Sequence, residues 1–167
     1  YGQTPPALVA PLSQDQELCF DAFAIGYNYK SRTALYSAEH LTAAAVQEAR
    51  KLQRDDNFHE EEALPANVRA VLSDYRGSGF DRGHLSPNAD MPTKSAQYQS
   101  FSLSNMVPQL HVQNAGIWAD IESTVRGLAL ANGQVYIVTG GIYDGTTQHL
   151  KSRVPVPNAT YQAAYVP

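Results

Sequence analysis

The sequence predicts a mixed α+β domain, a central and mostly antiparallel sheet flanked by helices, on three observations. Aromatic and β-branched residues crowd Leu18 to Tyr29 and resume after a turn at Asn28–Thr33, the pattern of a β-hairpin. A long helical pattern runs from about Asn114 to Ala131 and stops at Asn132-Gly133. Directly after it, Gln134 to Tyr143 is an apolar run suited to a fully buried central strand. A chain of 167 residues and 18.2 kDa is long enough to bury one sizeable core. Residues 1–16, rich in proline, read as an extended N-terminal arm, and residues 17–167 as a single domain.

Within that domain, Leu18 to Tyr29 supplies the first strand, carrying Cys19, Phe20, Phe23, Ile25 and Tyr27, and Ala34 to Leu41 the second hairpin arm. Thr42 is a usable N-cap for a helix over residues 43–50, where Ala and Gln favour helix. Residues 53–66 are charged and form a surface loop with Arg54 at its root. Val68, Val71 and Leu72 at helical spacing predict a short helix over residues 67–74. A glycine-punctuated loop from Tyr75 then delivers a short strand, Gly83-His84-Leu85. Pro87 to Pro92 turns the chain, Thr93 caps a helix through Lys94 to Gln99, and Phe101 to Asn105 alternates as a returning strand. In the long helix Ile117, Ile121, Val125 and Leu128 form an apolar stripe, while Asn114, Trp118, Glu122 and Arg126 follow at successive steps of four along its edge. Trp118, bordering the stripe, belongs to the core rather than to a base-stacking platform. Asp144-Gly145 turns the chain, and Val154 to Pro157 with Tyr161 to Val166 is edge-strand material, given the prolines.

Composition removes several classes. No stretch of 18 apolar residues is present, so nothing spans a membrane as a helix. Tyr1 to Pro6 lacks a basic region leading into an apolar one, so a signal peptide has been removed or was never there. One cysteine, Cys19, excludes an internal disulfide framework and a thiolate cluster; it reads as a small buried hydrophobe on a strand. A net charge of −4 counts against a module that binds nucleic acid by neutralising phosphates. It counts less against an enzyme that needs a local arginine cluster, which Arg50, Lys51, Arg54, Arg76, Arg82 and Arg126 can supply.

Residues 75–122 carry the chemistry. Arg76, Asp81, Arg82 and His84 stand among Gly77, Gly79 and Gly83, and glycines let backbone and side chains approach a bulky anion. Phosphodiester cleavage needs a base for its nucleophile and positive charge on the phosphoryl and leaving oxygens. His84 suits the base, since imidazole titrates near neutrality, although a lone histidine is more often structural. Asn114 reads either as an N-cap or as a hard oxygen ligand for magnesium. Glu122 lies about 12 Å further along the helix axis. It reads as an acceptor for metal-bound water or as the partner of Arg126. Arg54, Arg82 and Arg126 can grip phosphate oxygens, though each alone is a surface charge. His40, His59, His111 and His149 show no metal-ligand spacing.

Asp74 to Pro87, with Asp81-Arg82-Gly83-His84 at its centre, then Ser104-Asn105-Met106-Val107-Pro108-Gln109, then Asn114 to Glu122, closely resemble the DNA/RNA non-specific endonucleases, the group that includes endonuclease G. The likeness runs from about Leu18 to Tyr165 and includes Ala38 to Thr42, Arg54-Asp55-Asp56-x-Phe58 and Val138-Thr139-Gly140. It implies a ββα-metal (His-Me finger) nuclease core, in which two antiparallel strands carry His84 and Asn105 and a helix carries Asn114 and Glu122. It implies one magnesium or manganese ion held by Asn114 and water, with His84 as general base and cleavage of DNA and RNA to 5'-phosphate ends. Arg82 matches the motif arginine, Arg54 (with Arg50 as competitor) and Arg126 the phosphate-contacting arginines, and Asn105 the asparagine that supports the site. The family continues past the segment matching Tyr161 to Pro167 with further sheet and helix, an end this domain is expected to lack, and a secreted or bacterial periplasmic location follows by the same likeness. Two alternatives stay open: a weak or inactive relative that binds nucleic acid or protein, and a phosphodiesterase for small substrates. A protein inhibitor and the oligomeric state are not decided by these residues.

Overall fold

The computed structural model describes residues 14–144, 148–151 and 153–167. Most of the arm expected over residues 1–16, and Gly145 of the expected turn, lie outside them. The first strand of the sequence reading is two strands, β1 (Gln16–Cys19) and β2 (Phe23–Asn28), paired antiparallel with Leu18 opposite Ile25. The turn between them is closed by the Phe20 amide on the Phe23 carbonyl at 2.8 Å and by Gln99 Oε1 on the Asp21 amide, also at 2.8 Å. Asn28 Oδ1 accepts from the Ser31 amide at 2.9 Å and makes the next turn. β3 (Thr33–Thr42) follows, and Thr42 Oγ1, accepting from Ala45 N at 3.1 Å, caps helix α1 (Ala43–Ala49).

The helix expected over residues 67–74 shrinks to one turn, α2 (Leu72–Tyr75). Val71 is extended, and Asp74 Oδ2 accepts its amide proton at 2.9 Å, so the helix begins five residues later than the apolar spacing suggests. β4 (Asp81–His84) comes next, then a 3₁₀ turn over Asn88–Asp90, then α3 (Lys94–Ser100), capped by Thr93. No strand forms over residues 101–105. Leu103–Asn105 is a 3₁₀ turn, because Ser102 Oγ takes the Ser104 amide and Asn105 spends its side chain on backbone, local bonds that compete with a ladder. The returning strand is β5 (Met106–Gln109), which sets Met106 opposite His84 and Pro108 opposite Arg82. Asn105 therefore stands just before the second strand and not on it.

Gly83 is required by this pairing, since a Cβ there would overlap the Gln109 side chain. Gly77 and Gly79 serve otherwise than expected. Open space surrounds both, and their φ values of +67° and +83° make the turn into β4.

The long helix is interrupted. A short α4 (His111–Gln113) leads into a π-helical segment, Asn114–Trp118, broken at Gly116 (φ −105°, ψ −115°), before α5 (Ala119–Asn132) ends at Gly133. The break rotates the apolar face, so that Ile117 is 66% exposed while Trp118, Val125 and Ala129 are buried. β6 (Gln134–Ile142) is central in position but buried on one face only, with Tyr136 45% exposed. The two-residue strands β7 (His149–Leu150) and β8 (Val154–Pro155) pair with each other, and β9 (Ala159–Tyr165) forms the sheet edge.

The main sheet runs β1-β2-β3-β6-β9, all antiparallel. Leu41, Val135 and Ile137 on its inner face meet Val46 of α1 and Val125 and Ala129 of α5. Two further clusters enclose β4 and β5: Phe23, Ile25 and Leu85 with Met91 and Val107, and Tyr75, Leu103 and Met106 with Leu150 and Val154. On the outer face His40, Tyr136 and Tyr165 stand in cross-strand register, the first two rings stacked at 4.4 Å. Cys19, expected inside, is exposed on β1. No described helix is long and apolar enough to cross a membrane.

Candidate active site

The β4–β5 pair and the broken helix face each other across a cleft of about 910 Å³. β4 contributes Asp81, Arg82 and His84, the helix contributes Asn114 and Glu122, and the loop after α1 contributes Arg54, Asp56 and Phe58. Arg76 joins from the glycine turn. Arg54, Arg82, His84, Asn114 and Glu122, all singled out in the sequence, thus line one space. Arg50 and Lys51 do not line it.

His84 is 8% exposed, and its Nε2 has no hydrogen-bond partner in the protein. Its ring is caged by Phe58, with centroids 5.9 Å apart, and by the edge of Phe101 at 5.0 Å. Each cage wall carries an arginine on its ring: Arg82 lies 3.9 Å from the centroid of Phe58 and Arg54 5.2 Å from that of Phe101. Burial, then the Arg54 charge, lowers the imidazole to about 3, with Asp56 opposing and Arg82 adding. The ring is neutral at neutral pH, so one of its nitrogens has a lone pair to offer. Phe101 had no signal in a lone sequence, since a buried aromatic looks the same whether it packs a core or a catalytic ring.

Asn114 is held by a residue of the motif itself. Its Nδ2 donates to Asp81 Oδ2 at 3.0 Å, while His111 Nδ1 reaches the same oxygen at 2.8 Å. Burial acts to raise the Asp81 carboxyl, but the bonds from Asn114 and His111 outweigh it and hold it below the usual range. The clamp leaves the Asn114 carbonyl oxygen free of Asp81. Amide and carboxylate oxygens from Asn114, Asp81 and Glu122 make a hard donor set, which fits a magnesium-type cation and not a thiophilic one. Among the described residues no three His, Cys, Asp or Glu side chains form a metal cluster.

Behind the cleft lies a buried charge cluster. Burial and the neighbouring Asp90 push Glu122 up to about 7. Arg126 Nη1 pairs with Asp90 Oδ1 at 2.9 Å, and this arginine does not line the cleft. Burial raises Asp90 to about 6 against that partner, and burial with Asp90 beside it carries Glu39 of β3 well above the carboxylate range. Asn105, fully buried, also stays out of the cleft. Its Oδ1 accepts from Ser86 N at 3.0 Å and its Nδ2 donates to Ser86 O and Ser100 O at 2.8 and 2.9 Å, which locks the chain after His84 to the end of α3.

The sequence and the fold both match known proteins. A family model described as DNA/RNA non-specific endonuclease matches residues 6–167. Nuclease C1 of Cunninghamella echinulata var. echinulata is 37% identical over 160 residues, 88% of this chain and 64% of that protein. A nuclease of the cyanobacterium Nostoc is 35% identical over 86% of this chain and 52% of its own length. Human mitochondrial endonuclease G is 33% identical over 74% of this chain and 41% of its own. The chain thus spans between 41 and 64% of the length of these relatives. EndoG, solved as the EndoG/EndoGI complex to explain EndoG inhibition, shares the fold at a TM-score of 0.78 and 27% identity, over 89% of this chain and 66% of that one.

Proposed function

Because this chain belongs to the DNA/RNA non-specific endonuclease family and has its ββα-metal fold, we propose that it hydrolyses phosphodiester bonds in both DNA and RNA with one divalent cation. One observation carries the reading: a buried, neutral His84 in the wall of the same cleft as Asn114, Glu122, Arg54 and Arg82.

The neutral imidazole of His84 takes a proton from a water molecule aligned with phosphorus. That oxygen bonds to phosphorus, the bond to the 3'-oxygen breaks, and the released end keeps a 5'-phosphate. Arg82 and Arg54 hold the non-bridging oxygens, each guanidinium oriented by an aromatic ring behind it. Asn114 and, through water, Glu122 would hold magnesium or manganese, which when bound supplies positive charge to the phosphoryl and leaving oxygens. Arg126 acts from behind, keeping Asp90 ionised beneath Glu122. Bonds to bases have no part in this account, so sequence and sugar are not discriminated.

Such an activity endangers the genome of the cell that makes it. We place the protein in a secreted or periplasmic compartment, which fractionation of producing cells checks, although two relatives are named as mitochondrial. The activity is tested by incubating supercoiled plasmid and RNA with the protein, with magnesium and with chelator, beside His84→Ala. Degradation of both polymers that requires metal and His84 is the expected result. Intact polymers under all conditions would reject the reading in favour of a binding module.

A further inference from the structure

A second hollow, of about 350 Å³, adjoins the cleft and is not used by the chemistry above. It lies between the loop Gln53–Asn57 and helix α3, whose Lys94 and Tyr98 form its far wall. Arg54 lines both cavities, so the two share a wall. A polymer with its phosphate on Arg54 in the cleft has its neighbouring unit at the mouth of this hollow.

The hollow has the makings of a nucleoside site. Tyr98 is 49% exposed, a large aromatic facing water on a small domain. Its ring is stacked on His59 at 4.1 Å and 5° between planes, and His59 in turn is fixed by Nδ1 on the Asn57 carbonyl at 2.8 Å. His59 does not line the hollow, so it backs the tyrosine instead of filling the space. The buried Gln97 ties the loop to the helix by accepting the Asp55 amide at 3.3 Å, and just past the loop the His59 carbonyl accepts from Leu103 N, beyond the helix end, at 2.8 Å. The platform is therefore preorganised, and binding to it costs little side-chain ordering. Polar groups at the rim are of mixed kind: Lys94 and Arg54 suit phosphates, whereas the Asp55 carboxylate repels them and accepts from amino groups of a base or from a sugar hydroxyl. An anion-only site would exclude Asp55.

We propose that this hollow is a second nucleotide subsite, which seats one unpaired base of the substrate strand against Tyr98 while its flanking phosphates lie over Lys94 and Arg54. The proposal rests on the endonuclease reading. Stacking on an aromatic face serves any base, which suits a site without sequence preference. A base within a duplex cannot enter without leaving its partner, so the subsite favours single strands and locally opened duplexes.

The test measures binding by fluorescence anisotropy in chelator, using labelled single-stranded octanucleotides and a labelled dinucleotide, for wild type, Tyr98→Ala and Tyr98→Phe, with thermal melts as a check of folding. Wild type binds the octamer more tightly than the dinucleotide. Tyr98→Ala loses about 5- to 100-fold on the octamer and most of that length advantage, and Tyr98→Phe restores it. A folded Tyr98→Ala with wild-type affinity for the octamer, in a protein that cuts nucleic acid when metal is supplied, overturns the subsite alone. A wild type that neither binds nor cuts overturns the endonuclease reading and the subsite with it.

Discussion

His84 and Glu122 face one cleft with their proton affinities displaced in opposite senses relative to the task. Burial and arginines hold the histidine unprotonated, and burial with an adjacent carboxylate lets the glutamate keep its proton up to about pH 7. For Glu122 the sign follows from linkage: the folded state retains a proton that the unfolded chain has already released above about 4.5. Its contribution is greatest in acid and is lost as pH rises through about 7. Glutamine imitates the protonated side chain. Urea melts in chelator should therefore find Glu122→Gln close to wild type at pH 5 and more stable by about 1–3 kcal/mol at pH 8. A difference that does not change with pH would contradict the buried, anion-crowded setting of Glu122. His84 opposes this trend, with stability fully present above about 6.5 and lost as pH falls towards 3. Asn114→Ala gives a second residue-level expectation, since the Asp81 clamp presents its carbonyl oxygen for metal. Manganese titrated calorimetrically should bind the variant at least tenfold more weakly, and an unchanged affinity would remove Asn114 as ligand. The motif residues were legible because their types are chemically rare in combination. Phe58 and Phe101 as the cage of His84, and Asp90 as the partner of Arg126, were not, since each is decided by a contact between distant segments.

At the scale of elements the cleft wall from Leu72 to Phe80 depends on one ion pair, between a buried aspartate and a half-buried arginine. Asp74 is 2% exposed, caps α2 through the Val71 amide, and meets Arg153 Nε at 2.9 Å. Arg153 also donates to the Arg69 carbonyl at 3.2 Å, so the segment next to β8 is pinned to the chain that carries Tyr75 and Arg76 into the cleft. Asp74→Ala removes the partner of a half-buried guanidinium together with a cap, and should cost about 1–3 kcal/mol in chemical denaturation. Asp74→Ala combined with Arg153→Met should cost clearly less than the sum of the single changes; strict additivity would show that the pair is not coupled. The same elements show why sequence reading reached its limit where it did. Caps at Thr42 and Thr93 and the stop at Gly133 depend on neighbours in the chain, and they fell where expected. The helix over 67–74 and the strand over 101–105 failed because serine, asparagine and aspartate side chains captured backbone groups that periodicity assigns to a ladder. The break at Gly116 turned Ile117 outward, and apolar spacing carries no mark of such a break.

For the whole molecule the net charge of −4 and the three cleft arginines pull against each other. The bulk charge repels a polyanion at long range, whereas Arg54, Arg76 and Arg82 attract it at short range, with Asp56 and Asp81 in the same walls. Such a surface gives weak non-specific adhesion and quick release of product, which a hydrolase needs and a storage or packaging protein does not. If binding rests on three arginine–phosphate contacts, single-strand affinity falls with a logarithmic salt slope of about −2, or roughly 20-fold between 50 and 200 mM salt. Anisotropy in chelator over that range measures the slope, and Arg82→Ala should flatten it by about 0.7 while leaving the fold intact. Arg76→Ala, on the glycine turn, should flatten it equally if that arginine reaches the strand. A slope near zero would transfer the binding free energy from phosphates to stacked bases, and would make the aromatic hollow beside Arg54 the principal hold on substrate.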